Sequence, residues 1–377
     1  MKNAIRIFGC MLVLASLQST IFGQNFAYSI TDNNQDATLR RQQMYRINVV
    51  NGETTYLGDM VSSTGQRVIR EYEGIASIGS SVYGIAEFAG LTGGGVDCNL
   101  GDDPITGLSS DLRLLRVGQQ QTVPDAANPT PAAIVGPNGL NTVLGPQIGE
   151  TCINATDAGT EAAMGYNALD GFFYSISSDD LFAATGTRSR LYRVSPSTGL
   201  ATFVGNVSNP GFVAGQPTGD EFPYLDGMTI FPSGAAYATE ARFSLDTNPA
   251  DADTRDFGAI YTINLTNGQA GLLKYLFPTD LNVDTGLANR GSNQLFILNE
   301  RGIVYSTTTA AGSAVSAGTA MRTTGATTGA GGGAAGLRIQ GCRGAIAGAA
   351  NEFEPLAPTV GACRDFEGFD IPVPAFN

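Results

Sequence analysis

The 377-residue sequence contains no histidine and no tryptophan, and only 15% of its residues are charged. Without histidine, Ser-His-Asp and Cys-His catalysis are excluded, as is every metal site that needs an imidazole ligand. The missing indole ring also removes one of the side chains that stack well on sugars. For an enzyme, carboxylate chemistry or a calcium-assisted hydrolysis remains.

Basic residues are scarce as well. The chain has 21 lysines and arginines against 34 acidic residues, which gives a net charge of −13. Lys2 and Arg6 lie in the N-terminal segment, so loss of that segment would leave −15 and a single lysine, Lys274. An acidic surface favours cations and repels nucleic acids and anionic membranes, so we expect neither of the latter as a partner.

Residues 1–23 have the features of a secretory signal peptide, with a basic start, a short apolar run and a small residue, Gly23, at the end. No later stretch reaches the roughly 20 apolar residues that a membrane span needs. We therefore expect one domain over residues 24–377, without a membrane span, monomeric, and located in the periplasm or outside the cell.

Glycine, in contrast, is abundant at 49 residues, and short runs of Val, Ile, Thr, Tyr and Phe alternate with turn residues, which is typical of an all-β protein. A phrase of about fifteen residues recurs at 44–58, 191–205 and 260–273. Each copy contains a tyrosine between aliphatic residues, a turn with Asn-Gly or Thr-Gly, and a second alternating run. Because such turns suit tight hairpins, each copy predicts two antiparallel strands.

A second predicted hairpin precedes these phrases and opens with a glycine beside an apolar residue, at Gly74, Gly165, Gly227 and Gly286. Two hairpins in series give four strands, and repeated four-stranded units form a β-propeller. Residues 365–371 are predicted to form the first strand of a four-stranded unit, but no further strands of that unit follow them. Residues 26–30 are predicted to form the second strand of a unit, but no first strand precedes them. We expect these two to pair and close the ring. The count is five four-stranded blades, or six if residues 336–347 form another unit.

The repeat resembles the Leu-Tyr-x-Ile…Thr-Gly…Val-Gly units of secreted bacterial β-propellers, many of them surface or adhesin-type domains of unknown function. The resemblance covers about residues 26–320 and the closing strand. It implies the fold and an extracellular role, but no catalytic residue. Long insertions at 89–111 and 321–364 interrupt the pattern.

In such a blade, the first-to-second and third-to-fourth turns lie on one side of the ring, the short-loop face. The second-to-third loops and the connections between blades lie on the other side, the long-loop face, where we expect function. The four cysteines that remain after loss of Cys10 favour two disulfides, with four buried thiols as the alternative. Their predicted positions on this face favour the pairs Cys98–Cys152 and Cys342–Cys363, one of three connectivities.

Two acidic groups are candidate calcium sites. Asp251, Asp253 and Asp256 place hard oxygen ligands on one loop, although a solvated acidic turn has the same sequence. Glu73, Asp226 and Glu367 precede the glycine of three opening strands, which predicts a partial carboxylate ring at one mouth of the central channel. The alternative is that each acid accepts hydrogen bonds from neighbouring backbone groups.

These observations lead to two functional hypotheses. The first is an extracellular, non-catalytic propeller that binds a protein, glycan or surface through its long-loop face, with calcium as the only candidate cofactor. The second is a secreted carboxylate- or calcium-dependent hydrolase or lyase with its site at the channel mouth.

Overall fold

The computed structural model describes residues 25–32, 43–61, 72–79, 81–87, 112–117, 119–121, 141–143, 147–151, 153, 161–178, 188–214, 216, 218–240, 258–276, 285–299, 302–323 and 365–372. The strands of the first half are β1 (Phe26–Asp32), β2 (Gln43–Asn48), β3 (Glu53–Val61), β4 (Tyr72–Ile78), β5 (Ser81–Glu87), β6 (Leu112–Val117), β7 (Gln119–Gln121), β8 (Asn141–Val143), β9 (Gln147–Glu150), β10 (Glu161–Asn167) and β11 (Phe172–Ser178). Those of the second half are β12 (Ser189–Val194), β13 (Ala201–Asn206), β14 (Leu225–Ile230), β15 (Ala236–Glu240), β16 (Ala259–Ile263), β17 (Ala270–Tyr275), β18 (Thr285–Arg290), β19 (Gln294–Asn299), β20 (Ile303–Thr308), β21 (Thr319–Ala320), β22 (Arg322–Thr323) and β23 (Asp365–Asp370).

The strands form the sheets of a β-propeller. Four sheets have four strands each, in the orders β4-β5-β6-β9, β10-β11-β12-β13, β14-β15-β16-β17 and β18-β19-β20-β21. Their neighbouring strands are antiparallel, as the hairpin phrases predict. No helix in these parts of the chain is long and apolar enough to cross a bilayer.

The described residues show four four-stranded blades, where the sequence predicted five or six. The remaining sheet has seven strands, with the path β23-β1-β2-β3-β8-β7 and β22 also paired to β3. Its excess strands arise because β3 accepts two parallel additions, β22 and β8, along its outer edge. The closing strand itself is confirmed, since β23 pairs antiparallel with β1.

The turns of the short-loop face are short in most sheets, with one exception that the sequence did not reveal. The third-to-fourth connection of the first sheet runs from Val117 to Gln147 and contains β7 and β8. This excursion carries the hairpin that pairs with β3 of the neighbouring sheet. Low similarity to the other repeats hid the connection, because the Asn138-Gly139 pair of this segment lies far beyond Val117, whereas the regular copies have their Asn-Gly or Thr-Gly turn directly after the third strand.

The hydrophobic core lies between the sheets rather than within them. One cluster joins Ile176 and Leu191 of one sheet to Met228 and Tyr261 of the next. Further clusters combine residues of neighbouring sheets in the same way around the ring. Each blade therefore buries its apolar side chains only when its neighbour is present.

Glycines let the inner strands approach each other closely around the axis. A Cβ atom at Gly227 would lie 2.5 Å from the carbonyl oxygen of Thr285 in the next inner strand. A Cβ atom at Gly74 would lie 2.5 Å from the Ala162 carbonyl oxygen. Because these neighbours are backbone atoms, they cannot turn aside as a side chain would, so the glycines set the spacing of the ring.

We predict that Gly227→Ala lowers the free energy of unfolding by about 1–3 kcal/mol, since the added methyl group overpacks a rigid interface. Urea unfolding followed by circular dichroism measures this change as a lower midpoint at constant slope. Gly312→Ala is the matched control, because nothing lies within 4 Å of the position its Cβ would take. Equal midpoints for the two variants would contradict the role of the glycine.

Candidate functional site

The three acids predicted at the channel mouth all lie on inner strands, Glu73 on β4, Asp226 on β14 and Glu367 on β23. The pairing register of each of these strands shifts beside the acid, whereas β10 and β18 pair with their neighbours without a shift. Such a register shift is a β-bulge, in which one extra residue changes the direction in which a nearby side chain points. The acid-glycine pairs of the sequence thus mark the irregular inner strands.

Asp226 uses its carboxylate to join two blades. Its oxygens accept hydrogen bonds from the backbone N–H of Thr285 and from the Thr285 hydroxyl, the latter at 3.3 and 3.4 Å. Thr285 precedes Gly286 as Asp226 precedes Gly227, and it is the partner of Asp226. The side chains of Glu73 and Glu367 lie outside the described residues, so a shared metal site of the three acids stays a prediction.

The axis beside Asp226 is nearly closed. A cavity of about 10 Å³ is lined by inner-strand residues from every sheet, among them Met164, Asp226 and Phe369. This volume is at the lower limit for one water molecule. A sugar or any other organic substrate does not fit at this level of the channel.

A buried phenol anchors the connection between the second and third sheets on the long-loop face. The hydroxyl of Tyr261, a fully buried residue, donates to Oε2 of Glu240 at 3.0 Å and accepts from the Asp220 backbone N–H at 2.9 Å. Glu240 is itself only 2% exposed. Burial, and secondly the charge of Glu240, raises the pKa of Tyr261 well above its usual range, so the phenol stays protonated and keeps donating.

The residue before Asp220 completes this anchor. Gly219 has φ of +86° and donates its N–H to the Tyr275 hydroxyl at 3.1 Å. A Cβ there would lie 2.6 Å from the Tyr261 hydroxyl, so both the backbone conformation and the space favour glycine. Residues 219–221 lie in the connection between β13 and β14, two strands of neighbouring sheets.

The same connection is held at its other end by two buried serines. Ser178 Oγ donates to the Leu225 carbonyl oxygen at 2.6 Å, and Ser189 Oγ accepts from the Leu225 N–H at 3.1 Å. Ser178 ends β11 and Ser189 begins β12, so these residues also form the base of the loop over 179–188. The loop base and the inter-blade connection are therefore fixed at one point.

Within this connection, residues 209–221 form a compact loop with its own hydrogen bonds. Asn209 donates its side-chain N–H to the Thr218 carbonyl oxygen at 2.8 Å and its backbone N–H to the Glu221 carbonyl oxygen at 2.9 Å. The Thr218 hydroxyl accepts from the Val213 N–H at 2.8 Å. Internal bonding of this type holds a surface loop in one shape, as in the Ω-loops that often carry function.

Lys274 is a buried cation that sequence reasoning did not single out as a site residue. It is 7% exposed, and its ammonium group donates to Thr307 Oγ1 at 3.1 Å, to the Thr308 carbonyl oxygen at 2.6 Å and to Ser313. Burial lowers its pKa. Lys274 lies on β17 and its acceptors follow or lie on β20, so it links two blades. The only clue in the sequence was that Lys274 is the single lysine besides Lys2.

The other predicted site residues lie outside the described residues. They are the loop acids Asp251, Asp253 and Asp256 and the cysteines Cys98, Cys152, Cys342 and Cys363. Among the residues that the structure does describe, no group of three or more acidic, cysteine or histidine side chains could hold a metal ion.

Comparisons with known proteins leave the family open. No protein-family model matches the chain, and no curated protein matches it either. Among solved structures, an exo-β-1,3-galactanase from Clostridium thermocellum aligns with 12% identity and a TM-score of 0.42 over 71% of this chain, which spans 51% of the galactanase. The similarity is too low to carry a functional argument.

Two further solved structures align more weakly. A glycoside hydrolase family 43 β-xylosidase/α-arabinofuranosidase from a compost metagenome aligns with 11% identity and a TM-score of 0.35, over 69% of this chain and 74% of its own. A gluconolactonase from Xanthomonas campestris aligns with 10% identity and a TM-score of 0.29, over 68% and 65%. Function has to be argued from this chain's own residues.

We predict that Tyr261→Phe lowers the free energy of unfolding by about 1–3 kcal/mol, because Glu240 loses a donor and the Asp220 N–H loses its acceptor in a buried site. Chemical unfolding measures the loss. Tyr237→Phe is the control, since the Tyr237 ring packs edge-on against Phe231. If both variants were as stable as the original protein, the phenol would not be an anchor.

Proposed function

We propose that this protein is a non-catalytic binding propeller that engages an extracellular protein or glycan through its long-loop face. The observation that carries the proposal is the anchoring of that face at buried polar contacts, Ser178 and Ser189 at one loop base and Glu240 with Tyr261 at another. A rigid base lowers the ordering cost when a loop binds a partner.

The distribution of loop length supports the same face. Four second-to-third connections span 33–42, 88–111, 179–188 and 241–258, while the fifth is the tight turn after Asn299. Variable loops on a repeated scaffold are the usual place for recognition. The net charge of −13 favours a neutral or basic partner over nucleic acid or an anionic membrane.

The alternative, a carboxylate- or calcium-dependent hydrolase or lyase at the channel mouth, has weaker support. Of its three acids, Asp226 is engaged by Thr285, and the adjoining cavity has room for about one water molecule. Two-carboxylate cleavage of a glycoside requires space for the sugar between the acids.

Several finer features belong to this proposal. We propose that the seven-stranded sheet is a fifth blade, since its strand β23 lies between β18 and β4 around the axis as the other inner strands do.

The proposal also includes export after removal of residues 1–23, monomeric action at a bacterial surface, and the disulfides Cys98–Cys152 and Cys342–Cys363. Calcium held by Asp251, Asp253 and Asp256 would order the loop from which it takes its ligands.

An array of immobilised polysaccharides and extracellular proteins tests the proposal. We expect the protein to bind an array member without converting it, and replacement of residues 246–256 by a Gly/Ser segment of equal length to weaken that binding at least about tenfold, a loss of about 1.4 kcal/mol. A repeat with calcium replaced by EGTA shows whether the metal contributes.

Leu169→Ser is the matched control, because Leu169 is 69% exposed and lies in a turn of the short-loop face. It should bind as the original protein does. Unchanged binding by the loop variant, loss of binding in Leu169→Ser alone, or release of products from a bound glycan would each contradict the proposal.

A further inference from the structure

Asp370 places an ionisable group in the interface that closes the ring. It is the last residue of β23 and lies opposite Tyr28 of β1. Its Oδ2 atom is buried and has no hydrogen-bond partner in the described part of the chain. The side chain and backbone of Ser77, on β4, and the backbone of Ile371 lie close to the carboxylate group.

The corresponding position between β14 and β18 is neutral. Gly227 packs against the backbone around Gly286. Thr229 follows Gly227 by two residues and Asn289 follows Gly286 by three, and Asn289 Nδ2 donates to Thr229 Oγ1 at 2.7 Å. A hydroxyl and an amide thus meet at this position, while the Asp226 carboxylate meets Thr285 elsewhere in the same interface.

The same spacing from the glycines leads to Asp370 in the interface between β23 and β4, where the ring closes. Gly368 packs against the backbone of Gly74 and Ile75. Asp370 follows Gly368 by two residues, and Ser77 follows Gly74 by three. The fold therefore accepts a neutral pair at this position, and the closing interface carries a carboxyl group in its place.

Burial is the main influence on this carboxyl group. It raises the pKa of Asp370 to about 6, and the neighbouring Ser77 and Ile371 groups offset part of the rise. The titratable and charged residues on the strands packed against it or on its own strand are Tyr28, Asp32, Tyr72, Glu73, Asp226, Arg290, Asp365 and Glu367. Arg290 is the last residue of β18, as Asp370 is the last residue of β23. Its guanidinium N–H groups donate to Asn25 and Gln294.

We propose that β23 is a pH-sensitive latch, in which protonated Asp370 holds the closing strand in the ring and ionised Asp370 loosens its contact with β4. A buried ionised carboxylate without full hydrogen bonding favours the open state, where water solvates it. This goes beyond the proposed binding function, since it concerns how the ring stays closed.

The direction of the pH effect follows from the two protonation states. An aspartate in the open strand has a pKa of about 3.9, so the closed state binds the proton more tightly than the open state. Closure is therefore most stable below about pH 4, weakens as the pH rises to about 6, and changes little above that. Two pKa units correspond to about 100-fold in the equilibrium between closed and open strand.

Hydrogen exchange read by mass spectrometry tests the latch in the intact protein. After correction for intrinsic exchange rates, protection of residues 365–370 should fall by about 25-fold between about pH 4.5 and pH 7.5. Protection of residues 287–290, which include Asn289 of the neutral contact and leave out Thr285 beside Asp226, provides the internal reference. A closing strand whose protection follows that reference at both pH values would overturn the proposal.

Two variants assign the effect to the carboxyl group. Asp370→Asn should remove the extra pH dependence of residues 365–370, and Asn289→Asp should introduce one at residues 287–290. Retention of the full pH dependence in Asp370→Asn would overturn the latch. Should either variant fail to fold, the comparison of the two strands in the original protein still decides the question.

Discussion

The close approach of the inner strands at their glycines is the constraint on which the rest of the structure depends. A Cβ atom at Gly227 or Gly74 would lie 2.5 Å from a backbone oxygen of the next inner strand, so the ring would have to widen. The hydrophobic clusters lie between sheets, so a wider ring would also open the core. The small residues at the axis and the large residues between the blades therefore act together to keep the ring narrow.

Polar contacts between blades add specificity to this packing. Asp226 with Thr285, Asn289 with Thr229 and Lys274 with its hydroxyl and carbonyl acceptors each join one blade to the next. Buried polar groups are costly unless they are hydrogen-bonded, so each pair favours one register of neighbouring blades. On the long-loop face, similar contacts at Tyr261 and Ser189 extend this rigidity to the places where loops leave the scaffold.

Much of the fold could be predicted from local signals. The Asn-Gly and Thr-Gly turns identified the outer hairpins, and glycines such as Gly227 identified the inner strands, because hairpin turns and close packing each demand particular residues. The parallel additions to β3 were not predictable, since pairing between distant segments leaves no periodic pattern. The roles of Thr285 and Tyr261 also depend on tertiary contacts, so the sequence could place these residues on strands but could not pair them with Asp226 or Glu240.

The central claim is that the C-terminal strand closes the ring and that every blade depends on this closure. Phe369 and Ile371 are both buried in the cluster that joins β23 to the neighbouring sheets. Thermal unfolding of a chain lacking residues 365–377, compared with one lacking only 373–377, tests this most directly. The account predicts that the longer deletion abolishes the cooperative transition while the shorter one leaves it intact. A cooperative transition at an unchanged midpoint after the longer deletion would contradict it.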